Sequence, residues 1–133
     1  MRRLIVALTV VALIAGCCRY PDLGSFRRLS LQAKIAALRD AERNHCRPGE
    51  PLSEYFAAVA SHGAAARDAV LPWLRSNDPY FTKFDAIVVL RYVASDGVDI
   101  ESARPLLRQI AVEDPDPETR RAASRLIAKA PSK

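Results

Sequence analysis

Three cysteines and two histidines are the side chains of this 133-residue chain best suited to nucleophilic, metal or redox chemistry. Nucleophilic catalysis needs a nucleophile, a base and a group that orients the base. His45 and Cys46 are adjacent, but consecutive residues on a helix point about 100° apart and do not make a dyad. His45, Cys46, Glu50 and His62 are the residues from which a metal site would be assembled. Their intervals match no paired ligand spacing. The chain contains no glycine-rich phosphate loop, nucleophile elbow or paired-carboxylate motif. The expectation is a protein that is not an enzyme and uses no metal or cofactor.

The cysteines gain meaning from the segment that precedes them. Met1-Arg2-Arg3 is a positive start, and Leu4 to Gly16 is an apolar run of 13 residues. A bilayer-spanning helix needs about 20 residues. A charged start, a short apolar stretch and small residues at its end make a secretory signal pattern. The run closes on Ile14-Ala15-Gly16-Cys17, which resembles the lipobox of bacterial lipoproteins. The resemblance covers these four residues and the signal before them. It implies cleavage before Cys17, a diacylglyceryl group on its thiol, and a periplasm-facing place in the cell envelope. Cys18 follows where an Asp would favour inner-membrane retention in that family, so the outer membrane is favoured.

With Cys17 assigned to lipid, Cys18 and Cys46 remain, and an oxidising compartment makes a bridge between them the expectation. The competing reading leaves Cys46 buried or free and Cys18 in a linker. A closed 18–46 loop would remove roughly 3–4 kcal/mol of unfolded-chain entropy in the simple loop model.

Composition narrows the class further. Half of the residues are apolar and 26% are charged, which excludes wholesale disorder. The formal charge is +5, yet removing residues 1–16 leaves 117 residues with 18 basic and 15 acidic side chains. Residues 17–48 then carry +4 and residues 49–133 carry −1. The excess lies beside the expected anchor, where each cation near anionic head groups contributes about 1 kcal/mol. A solvated linker and helix face is the competing reading. No basic stripe with interleaved aromatics is present, which disfavours a nucleic-acid partner.

These residues must be positioned by helices, because no segment alternates as a strand. A tether is expected over residues 17–25 and a helical domain over 26–133. A first helix is predicted from Ser25 or Ser30 to Asn44, with Leu31, Ile35 and Leu38 inward. Arg47-Pro48-Gly49-Glu50-Pro51 breaks it. A second is predicted over 52–62, and a third over 64–76 that Pro72 kinks or restarts. Asp78-Pro79 reads as cap and first residue of a long helix ending near Gly97. The fifth runs from about Ile100 or Glu101 to Val112, and the sixth covers 118–130.

Two stretches superpose at an offset of 36 residues. Val70-Leu71 falls on Leu106-Leu107, Asp78-Pro79 on Asp114-Pro115, and Leu90 on Leu126. Such a period indicates stacked helix pairs that cannot bury their apolar faces singly. Asp116-Pro117-Glu118-Thr119-Arg120-Arg121-Ala122-Ala123 resembles the Asp-Pro-Glu-Val-Arg-Arg-Ala-Ala opening of short bacterial HEAT-like repeats. Ala103-Arg104-Pro105-Leu106-Leu107 resembles the start of that family's second helix. The likeness is good over 99–130, fair over 64–98 and absent before Pro48. It implies an all-α fold, a short α-solenoid of antiparallel helix pairs with about six helices. It also implies a buried polar ladder to which Asp116 and Arg120 would belong. Phe84 stands where Arg120 falls in the earlier repeat, so the ladder is not continuous.

Helical stacks present surfaces to partners, and Trp73, Tyr80, Phe81, Phe84 and Tyr92 gather around one helix pair. Periodicity turns Phe81 or Phe84 inward, leaving Trp73 and Tyr80 as the candidate partner-binding aromatics. The expected function is a lipid-anchored scaffold or adaptor for an exported or envelope protein. An immunity lipoprotein against a secreted toxin and a pilotin-like helper of an outer-membrane secretin are alternatives within binding. An envelope enzyme or enzyme-assisting factor is the alternative from another class.

Overall fold

The structure, a computed structural model, describes residues 20–130. Cys17, Cys18 and the signal-like segment lie outside the described residues. The described chain is all-helical, with seven α-helices, two 3-10 turns and no strand among its residues. The helices are α1 (Leu23–Arg27), α2 (Leu31–Arg43), α3 (Leu52–Ala60), α4 (Ala64–Val70), α5 (Lys83–Ser95), α6 (Arg104–Glu113) and α7 (Pro117–Lys129). A 3-10 turn over Leu71–Arg75 extends α4, and one over Glu101–Ala103 leads into α6.

Local chemistry explains most of the boundaries. The predicted first helix is two helices, because Asp22 caps α1 through the Ser25 N–H and Ser30 caps α2 through the Ala33 N–H. Pro72 has no N–H to give, and the chain tightens to 3-10 geometry around it. The long helix does not start at Asp78-Pro79. Thr82 is its N-cap, in a capping box with Asp85. Asp78 instead accepts the Tyr80 and Phe81 N–H groups at 2.9 Å, closing the turn before the helix. The Asp-Pro signature was satisfied by a turn of its own, four residues upstream.

Two helix ends share one device. Gly97 (φ 83°) follows α5, with Val98 N–H on Val93 O and Gly97 N–H on Ala94 O. After α2, His45 takes the same left-handed role (φ 54°), with Cys46 N–H on Ala41 O and His45 N–H on Glu42 O. Both are Schellman closures, which favour glycine at the left-handed position.

The odd-numbered helices pack in series, α1 on α3, α3 on α5 and α5 on α7. On the other side α2 packs on α4, and the turn after α4 packs on α6. Within pairs, α4 packs on α5 and α6 on α7. The core between them is lined by Phe26, Tyr55, Val59, Val70, Phe81, Leu90, Val93 and Leu107, each essentially inaccessible. Burying side chains of this size stabilises by about 1.5–3 kcal/mol each relative to exposure.

Residues 20–25, expected to form part of a tether, belong to the body. Tyr20 is 6% exposed and donates to Glu42 Oε1 at 2.7 Å. Tyr55 stacks edge-on against Tyr20 and Phe26, with centroids 5.3 and 5.0 Å away, and donates to Pro21 O at 2.7 Å. The folded body starts by Tyr20.

Candidate functional site: two grooves on a helical body

The aromatic candidates of the sequence meet around one ion pair. Arg39, on α2, places Nη2 and Nε 2.7 and 2.9 Å from Asp78 Oδ2. Asp78 is positioned by its own turn, whose Tyr80 and Phe81 N–H groups bind its other oxygen. The guanidinium, and then those N–H groups against the cost of burial, hold the carboxyl down at about 2. Trp73 lies edge-on against Phe81, with centroids 5.1 Å apart. Its other side lines a cleft of about 280 Å³ with Gln32, Ile35, Ala36, Arg39 and Ala69. Trp73 and Tyr80 are each half-buried rather than exposed. The cleft can seat one or two apolar side chains, with Arg39 and Asp40 at its edge.

The remaining sequence candidates are dispersed. Asp116 is the N-cap of α7, accepting the Glu118 and Thr119 N–H groups and the Thr119 hydroxyl. Arg120 donates to the carbonyls of Asp114 and Pro115. Both tie the start of α7 to its own loop, and neither extends a ladder to the preceding helix pair. Cys46 is disulfide-bonded. No group of three His, Cys, Asp or Glu suited to a metal exists among the described residues.

His62 is engaged elsewhere. Its Nε2 lies 2.7 Å from Lys34 Nζ, and Lys34 is only 2% exposed. Desolvation lowers the pKa of both groups, and the Lys34 charge lowers His62 further. Neither residue lines the Trp73 cleft, so the pair is an internal strut between α2 and the end of α3.

Sequence reading missed a second groove, between α5 and α7. Phe84, Val88, Ala122 and Leu126 form its floor, and Arg91, Arg121, Arg125 and Lys129 surround it. Phe84, expected as a candidate for the core, is 38% exposed here, while Phe81 fills the interior. The signal was available in Arg121, Arg125 and Lys129, spaced by four on one helix. A regional charge of −1 concealed it. No family model matches this chain, nor does any curated protein or solved structure compared with it.

Proposed function

We propose that this chain is a bacterial envelope lipoprotein, anchored through Cys17, that acts without catalysis as a docking scaffold for another protein. The observation that carries the anchor is Ile14-Ala15-Gly16-Cys17 at the end of a 13-residue apolar run behind paired arginines. Two acyl chains hold a protein stably at a bilayer where one does not. No helix among the described residues is long and apolar enough to cross a membrane.

For the body we propose a short stack of HEAT-like helix pairs. The serial packing of odd helices on odd, with α2 on α4 and the turn after α4 on α6, supports this reading. So does the match of Leu90 to Leu126 at the 36-residue offset, both of them buried. Such a stack leaves a groove at each seam, and two are present at Trp73 and at Phe84.

Metabolic labelling with a palmitate analogue, followed by membrane fractionation, tests the anchor. The native chain should carry label and sediment with membranes. Cys17→Ala should lose the label and either accumulate as precursor or leave the membrane fraction. A labelled Cys17→Ala chain, or an unlabelled native chain retained on membranes, overturns the proposal.

A further inference from the structure

The groove between α5 and α7 combines two features that call for one kind of ligand. Its floor is apolar, with Phe84 and Val88 one turn apart on α5 facing Ala122 and Leu126 one turn apart on α7. Its surroundings are cationic. Arg121, Arg125 and Lys129 stand at successive four-residue steps, roughly 6 Å each along the axis. Arg91 faces them from α5, and Glu118 is the carboxylate at the mouth. The hollow holds about 300 Å³. Arg91, Leu126 and Lys129 also line a second hollow of about 370 Å³ toward Val98 and Ile100. Asp99 and Glu101 line that second hollow as well, so the unpaired cations are concentrated along the first, which forms a trough beside α7.

What sets these cations apart is that four of them gather around one apolar hollow. Other arginines, Arg43, Arg75 and Arg108 among them, also have no carboxylate within ion-pair distance among the described residues. Arg27, Arg39, Arg67, Lys83 and Arg104 each have a carboxylate within ion-pair distance. Arg91, Arg121, Arg125 and Lys129 have none among the described residues, and all four are exposed. Arg91 instead lies 5.5 Å from the Tyr92 ring centre. Unpaired cations beside a recessed apolar floor are complementary to carboxylates beside apolar side chains.

We infer that this trough docks an acidic amphipathic helix of a protein partner, which rests on the docking-scaffold reading and gives that partner its chemistry. A helix carries Glu or Asp at i, i+4 and i+8 at the same 6 Å interval as the α7 cations, with an apolar stripe alongside. Successive side chains of an extended strand point to opposite faces, so acidic and apolar rows could not both enter. A bilayer engages a field of projecting apolar side chains, whereas at this groove Phe84 is the one large apolar side chain exposed, set among four cations. The geometry favours a protein helix over a membrane surface.

The test uses the full chain purified in detergent and a fluorescent peptide of about 18 residues, with a Glu row at four-residue intervals beside a leucine stripe. Anisotropy should report binding that weakens steeply as salt is raised from about 50 to 500 mM. A peptide with Lys for each Glu should not bind. Arg121→Glu/Arg125→Glu should weaken binding by about tenfold or more, and the milder Arg121→Gln/Arg125→Gln in the same direction. Circular dichroism of each variant should match the native chain. Phe84→Ala should also weaken binding, and Trp73→Ala should not.

No binding of the Glu peptide, equal binding of the Lys peptide, or a loss confined to Trp73→Ala overturns the inference. Charge-dependent binding to phosphatidylglycerol vesicles without peptide binding overturns it too, in favour of a membrane. Peptide failure with the palmitate label and membrane anchor intact sinks the groove alone. Peptide binding by a chain that takes no label sinks the anchor alone.

Discussion

Arg104 Nη2 donates to the carbonyl of Ala130 at 2.5 Å, joining the first turn of α6 to the C-terminal end of α7. The same guanidinium donates to Ile127 O and pairs with Glu101 at 2.9 Å, and Arg104 is only 7% exposed. Helix ends leave carbonyls without intrahelical partners, and a cation there also meets the negative end of the helix dipole. Arg104→Ala removes both and leaves Glu101 unpaired.

The expected cost of Arg104→Ala is about 2 kcal/mol, since Glu101 is part-exposed and can hydrate. Urea unfolding followed by circular dichroism measures it. Hydrogen exchange should show the last turn of α7 opening first. Unchanged protection at residues 127–130 would mean that packing alone holds this end.

Asp78 performs two tasks that different substitutions separate. Asp78→Asn keeps an acceptor for the Tyr80 and Phe81 N–H groups but loses the ion pair with Arg39. Asp78→Ala loses both and should cost about 1–2 kcal/mol, more than Asp78→Asn or Arg39→Ala. The folded carboxyl titrates at about 2 against an ordinary 3.8. Its contribution is therefore complete above 3.8 and is lost as pH falls through about 2. In Arg39→Ala the acid limb of the stability profile should shift upward. An unshifted limb would remove Arg39 as the cause.

The Lys34–His62 pair predicts a second pH response. Folding lowers the pKa of His62 below its ordinary 6.5, so the unfolded chain binds the extra proton more readily. Stability should be greatest above 6.5 and fall as pH drops through the folded value. Thermal unfolding from pH 8 to 5 measures the slope, and His62→Gln should flatten it. A native slope retained in His62→Gln would place the proton uptake elsewhere.

Cys46 offers a discriminating measurement, because it is disulfide-bonded and the chain has two other cysteines, Cys17 and Cys18. A lipid on Cys17 leaves Cys18 as the partner. Alkylation of the native chain should modify Cys46 only after reduction, whereas Cys18→Ser should expose Cys46 to alkylation without it. Protection of Cys46 in Cys18→Ser would assign the bridge to Cys17 and exclude its lipidation.

His45 occupies a left-handed position that favours glycine. His45→Gly should stabilise the chain by about 0.5–1 kcal/mol, partly offset by a more flexible unfolded state. Lower stability would show that the imidazole makes a contribution beyond its backbone.

Periodicity disclosed the helices because their buried faces recur at 3.6-residue spacing, as Leu31, Ile35 and Leu38 do. Of the two phenylalanines that periodicity offered as inward, Phe81 is buried and Phe84 exposed. Register did not choose between them because both sit at a helix start, where the apolar face is not yet defined. Asp78-Pro79 misled because Asp satisfies N–H groups equally well in a turn and at a cap. Tyr20 is joined to the body by partners 22 and 35 residues away, Glu42 and Tyr55, and no local pattern announces such contacts. The basic trough was invisible to a regional charge count for a related reason. Its cations share one face with a single carboxylate, Glu118, while most of the acidic residues that cancel them in the count lie away from it.

The burial of Tyr20 also sets a length scale. Two residues stand between it and Cys17, and those three steps along the chain reach only about 10–11 Å even when fully extended. A chain lipidated at Cys17 would thus be held flush with its bilayer rather than sent out on a stalk. The α7 groove, at the opposite end of the helix series, would then meet only partners whose acidic helix stands within about one domain's thickness of that same membrane.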